Sequence, residues 1–157
     1  MRVHTAGRRC LVSIQEFCVA YNAEDFDKTV AFYTDVLEFS PGASWDRDDG
    51  RGVFLSCAGR GAVEIFGAAR GKPALPAPPR GSFMVVILVE DADAWQRKLL
   101  RNGAGIRWKM ATYEWGKYFG VVDPNEVGIY FMQRLGEDAE VAQAALRADL
   151  TKNGKTT

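Results

Sequence analysis

A chain of 157 residues with 47% apolar and 25% charged side chains has the make-up of one globular domain or of two half-size modules, which excludes wholesale disorder and a fibrous repeat. Its 20 basic residues balance 20 acidic ones, so the chain has no electrostatic footprint for nucleic acid or an anionic membrane. The longest apolar run, 83–89, falls far short of the ~20 residues that a membrane-spanning helix needs.

Residues 1–12 are basic, lack the apolar core of a secretory signal and read as an N-terminal extension. Cys10, Cys18 and Cys57 show no CxxC or zinc-ribbon spacing, which fits a reducing, cytoplasmic setting. From residue 13 the chain reads twice at an offset of 66. Phe17-Cys-Val19 falls on Phe83-Met-Val85, Glu24-Asp25 on Glu90-Asp91, Gly50-Arg51 on Gly116-Lys117, and Val63-Glu64-Ile65 on Ile129-Tyr130-Phe131.

The first copy, 13–67, opens with a strand over 15–21, followed by acidic Asp25 and Asp27 at a helix start. Phe26, Val30, Tyr33 and Leu37 give that helix one apolar stripe, and Pro41-Gly42 is expected to end it. Strands are predicted near 43–47, 52–57 and 62–66. Four prolines make 68–81 a semi-rigid linker. The second copy, 82–134, repeats the order: a strand over 83–89, a helix from Asp91 to Asn102, and strands near 106–112, 117–122 and 127–133. Residues 135–157 form a tail with a helical pattern over 137–150. The expected fold is therefore α+β, two βαβββ modules and a C-terminal helix.

Two such copies, with Phe32-Tyr-Thr-Asp-Val-Leu37 in the first helix, Tyr113-Glu-Trp-Gly116, and Val122-Asp-Pro-Asn125 before the last strand, resemble the vicinal oxygen chelate superfamily. That group holds glyoxalases, bleomycin-resistance proteins and extradiol dioxygenases, and the bleomycin-resistance branch is the most similar. The resemblance implies curved mixed sheets forming cups, a homodimer, and ligands bound inside the cups. In its metal-dependent members the ligand positions correspond to Cys18, Glu64, Met84 and Tyr130. A thiol, a carboxylate, a thioether and a phenol are a poor set for metals that favour imidazole and carboxylate donors. The only histidine, His4, lies outside the repeat.

Strand alternation turns Glu64 and Phe66, and Met84, Tyr130 and Met132, toward the expected cups. Trp115 and Tyr118, beside a Gly-Lys turn, add flat stacking surfaces. The ligand-binding candidates are thus Glu64, Phe66, Met84, Trp115, Tyr118 and Tyr130. The reading is a metal-independent protein, without cofactor, that binds or sequesters an aromatic or cationic small molecule, in the manner of antibiotic resistance. The alternatives are a metal-dependent lyase, isomerase or dioxygenase with an atypical site, and an assembly module whose cups are filled by their own side chains.

Overall fold

The computed structural model describes residues 17–59 and 61–136. The first copy consists of β1 (Cys18–Asn22), α1 (Phe26–Ala31), β2 (Ser40–Arg47), β3 (Gly50–Ser56) and β4 (Ala62–Gly67). The second consists of β5 (Met84–Leu88), α2 (Ala92–Arg101), β6 (Ile106–Tyr113), β7 (Gly116–Val122) and β8 (Gly128–Arg134). Each element of the second copy starts 66 residues after its counterpart. Two four-stranded sheets result, ordered β1-β4-β3-β2 and β5-β8-β7-β6, with the first strand of each parallel to the last and all other pairs antiparallel. Among the described residues no helix is long and apolar enough to cross a membrane.

Both helices start on a carboxylate. Asp25 accepts from the Lys28 amide at 3.0 Å, and Asp91 from the Ala94 amide at 2.9 Å, filling donors that the first helical turn leaves open. The Ala94 bond holds the Asp91 carboxyl below its ordinary pKa. Equivalent ion pairs, Asp27 with Arg51 and Asp93 with Lys117, tie each helix to the third strand of its own module. Alternation does the rest: Val53, Leu55, Val63 and Ile65 in one sheet, and Phe119, Val121, Ile129 and Phe131 in the other, turn inward and are buried. Trp95 stacks on Phe131 at 5.2 Å.

The first helix ends earlier than Pro41-Gly42. After Ala31 it widens into a π-helical turn, Phe32–Val36, and stops where Glu38 takes a left-handed conformation (φ 59°). Pro41 and Gly42 lie inside β2, at a register shift against β3. β2 is an edge strand, where a missing N–H costs no ladder bond, and this is why proline is tolerated there. The helical pattern over 137–150, Cys10 and His4 lie outside the described residues.

A polar seam joins the two copies. Asn102 Nδ2 donates to the Val36 carbonyl and to Glu38 Oε1, both at 2.9 Å, and Lys98 pairs with Glu38 at 2.7 Å. Deeper, the Tyr21 hydroxyl donates to Asp123 Oδ2 at 2.5 Å and lies 2.9 Å from the Tyr33 hydroxyl. One hydroxyl has one proton to give, so Tyr33 is the donor to Tyr21. Asn125 completes the seam, donating to Thr29 Oγ1 at 2.9 Å and accepting from the Glu24 amide at 3.0 Å.

Burial first, then the nearby Asp123 carboxylate, push the pKa of Tyr33 above that of an ordinary tyrosine, and Tyr21 is pushed up mainly by burial. Folded tyrosines that hold their protons stabilise the fold fully below the unfolded pKa of about 10 and lose that contribution as pH rises beyond it. Each should then cost about 1.4 kcal/mol per pH unit. Tyr33→Phe is expected to lose about 1 kcal/mol at neutral pH through its hydrogen bond, and to fall less steeply than the parent above pH ~10. Urea unfolding across the alkaline range measures both; parallel slopes would refute the assignment.

Candidate functional site

The faces of the two sheets turned away from the helices differ. In the first, Trp45 lies across Gly52, where an added Cβ would meet the indole at 2.0 Å, and Trp45 packs on Phe66 at 5.6 Å and Phe54 at 6.2 Å. This face is partly filled by its own aromatic residues. A shallow hollow of about 480 Å³ lies between it and the linker, bounded by Asn22, Phe66, Pro76, Pro78 and Phe83.

The second sheet leaves its face uncovered. Register puts Met84, Val86 and Leu88 of β5 opposite Gly128, Tyr130 and Met132 of β8, and these last opposite Val122, Gly120 and Tyr118 of β7. Met84 (59% exposed), Leu88 (54%) and Val86 are exposed although apolar, while Val85 and Ile87 on the other side pack against the core. A run of aromatic rings crosses this face. Trp108 stacks on Tyr130 at 4.7 Å, Tyr130 meets Tyr118 at 5.8 Å, and Tyr118 lies nearly parallel to Tyr113 (6.0 Å) and Trp115 (6.2 Å). Tyr113 and Trp115 themselves stack at 5.4 Å with planes 3° apart.

Two glycines make room for the floor of this run. A Cβ on Gly120 would lie 2.7 Å from the Trp108 ring, and one on Gly128 would lie 3.2 Å from both Trp108 and Tyr130, so only the missing side chains let the indole lie flat. A cleft of about 110 Å³ opens over it, bounded by Met84, Trp108, Tyr130 and, at the rim, Arg80, Arg107 and Glu126. The hydrogen bond with Tyr113 raises the Tyr118 pKa, and burial raises that of Tyr130, so both phenols stay neutral donors at physiological pH.

Of the six residues expected from sequence, Met84, Trp115, Tyr118 and Tyr130 share this open face. Glu64 and Phe66 sit on β4 of the other sheet, with Glu64 opposite Ala20 and Phe54. The carboxylate behind the expectation of a cationic ligand is therefore on a different sheet from the stacking residues. Trp108 and Tyr113, aromatic residues that also lie outside the helix stripes, complete the arrangement with Arg80, Arg107 and Glu126, and the glycines inside strands, Gly120 and Gly128, mark where Trp108 lies flat.

The same positions test whether a family metal fits. Cys18 lies opposite Ala62 and Glu64 opposite Ala20, while Met84 and Tyr130 are on the second sheet, Met84 as an exposed thioether and Tyr130 as a neutral phenol stacked on Trp108. Among the described residues no three His, Cys, Asp or Glu side chains converge. One carboxylate, one thiol, a thioether and a stacked phenol do not fit an imidazole-and-carboxylate metal site. Cys57 is half-buried and its thiol is pushed up by burial, which disfavours the nucleophilic thiolate.

The glyoxalase/bleomycin resistance protein/dioxygenase family model matches residues 17–131. The chain belongs to that superfamily. Solved structures of the superfamily fold match it along most of its length. TnmS3, an antibiotic binding protein from Streptomyces sp. CB03234, is 20% identical with a TM-score of 0.63, covering 82% of this chain and 100% of its own. TioX from Micromonospora sp. ML1 is 20% identical with a TM-score of 0.59, covering 76% of this chain and 98% of its own. A lactoylglutathione lyase from Agrobacterium tumefaciens is 18% identical with a TM-score of 0.57, covering 74% of this chain and 91% of its own. Among curated proteins no sequence relative matches. At these identities the likeness concerns the fold, which the superfamily uses for binding and for catalysis alike.

Proposed function

We propose that the protein binds and sequesters a small molecule carrying an aromatic ring system, without a metal, on the open face of the second sheet. The observation that carries this reading is the run Trp108, Tyr130, Tyr118, Tyr113 and Trp115, left uncovered beside exposed Met84, Val86 and Leu88. Flat rings in a row offer stacking area with little side-chain entropy to lose, the usual make-up of a site for planar ligands. The antibiotic binding of TnmS3 on the same fold supports this direction. The misfit of Cys18, Glu64, Met84 and Tyr130 to a family metal favours it over the metal-dependent lyase, isomerase or dioxygenase. The working form is a cytoplasmic homodimer, in which a second copy covers the apolar strip on β5 and encloses the ligand.

A neutral dye, N-phenyl-1-naphthylamine, tests the site apart from charge. Its fluorescence should rise on binding, and Trp115→Ala should weaken it roughly 10- to 100-fold (about 1–3 kcal/mol). Because Trp115 is 51% exposed, the melting temperature should stay unchanged. Unaltered dye affinity in both Trp115→Ala and Tyr118→Ala would remove the site from this face.

A further inference from the structure

We propose that the ring bound over Trp108 bears an acidic group, so that the ligand class is an aromatic carboxylate whose anion is held by Arg107. This rests on reading the open face of the second sheet as the ligand-binding face. Three features converge on it.

The first is a β-bulge. Ile106 pairs with Val121 and Trp108 with Gly120, so Arg107 and Trp108 together stand against a single residue of β7. An extra residue shifts the in-and-out alternation by one, and here it lets a guanidinium and the adjacent indole border the same cleft. Bulges of this kind re-aim side chains beside binding sites.

The second is charge. The rim holds two guanidiniums, Arg80 and Arg107, against one carboxylate, Glu126. Glu126 is engaged by Arg80 at 3.2 Å, and among the described residues Arg107 has no carboxylate partner. An exposed guanidinium without a carboxylate partner offers its planar fork to an anion, and arginine binds carboxylates through that fork in two-point fashion.

The third is strain. Glu126 has φ 64°, the left-handed region that favours glycine, in a turn closed by its amide on the Asp123 carbonyl at 3.0 Å. Its carboxylate lines the cleft, where it pairs with Arg80 of the linker. The cleft, about 110 Å³, is on the scale of cavities of ~150 Å³ that accept benzene, so the part of a ligand that enters it is a single ring.

Benzoate, benzamide and benzamidine share one shape and differ in charge, and calorimetry with the three tests the proposal. Benzoate should bind at least roughly tenfold tighter than benzamide, with benzamidine weakest. Arg107→Gln should bring benzoate down to the benzamide level and leave benzamide unchanged; Arg107→Lys should restore part of the difference. Arg107 is exposed, so neither variant endangers the fold. Equal affinity for benzoate and benzamide, or an unaltered benzoate affinity in Arg107→Gln, overturns the proposal. If none of the three binds at millimolar concentration while the neutral dye still does, this inference falls and the binding face stands; if the dye fails as well, both fall.

Discussion

Asp123→Ala is expected to remove a large share of the protein's stability. The Asp123 carboxylate is 3% exposed and accepts four hydrogen bonds: from the amides of Asn125 (2.8 Å) and Val127 (2.9 Å), from Asn125 Nδ2 (3.1 Å) and from the Tyr21 hydroxyl (2.5 Å). Truncation orphans all four donors at once in a buried place, where each unmet donor costs ~1–3 kcal/mol. Allowing for partial relaxation, a loss of roughly 3–5 kcal/mol is expected, against a total stability of about 5–15 kcal/mol for a domain. Asp123→Asn, which retains one carbonyl for the two amides, should lose less. Urea midpoints of the three proteins, followed by circular dichroism, give the ranking. An Asp123→Ala midpoint equal to the parent's would mean that the seam contributes nothing to stability.

Gly116→Ala should be the most damaging of the small glycine substitutions near the site. A Cβ there would lie 2.5 Å from the Gln133 carbonyl oxygen and 3.4 Å from the Arg134 Cα, both backbone atoms that can yield only by shifting β8. Overpacking of this kind costs about 1–3 kcal/mol. Gly116 also pairs with Tyr113 and precedes Lys117-Tyr118, so the shift separates rings that now stack and dye binding should weaken along with stability. Gly105→Ala is the control, since no atom lies within 4 Å of its added Cβ. Equal melting temperatures for the two variants would contradict the geometry.

Local pattern carried most of the fold. The alternation from Met84 to Leu88 and the caps at Asp25 and Asp91 are short-range signals, each written into a few neighbouring residues, and the 66-residue offset lets every one of them be read twice. What was not legible depends on distant neighbours. Alternation says that Glu64 and Tyr130 share the outward sense of their strands, but not whether the faces of their two sheets contribute to one site. The bulge between Ile106 and Trp108 reverses the phase of β6, so a strict period of two counted from core-facing Ile106 sends the Trp108 side chain the wrong way. Pro41-Gly42 reads as a helix stop because the edge position that tolerates it is a property of the whole sheet.

The contact between Asn102 and Val36 bears on how such a chain arose. These two residues are separated by 66 positions, the offset of the repeat, so each touches its own counterpart. A hydrogen bond between equivalent positions is what an approximate twofold relation between the two halves of one polypeptide would bring about. Two identical single modules could pair in the same way, and joining them in one chain makes the pairing permanent. The surrounding chemistry has since become one-sided. Lys98 with Glu38 and Tyr21 with Asp123 have as their mirror positions Phe32 with Ala104 and Ile87 with Cys57, which repeat neither the ion pair nor the hydrogen bond. Once fused, the halves were free to specialise, one toward filling its own face with Trp45 and the other toward keeping its face open.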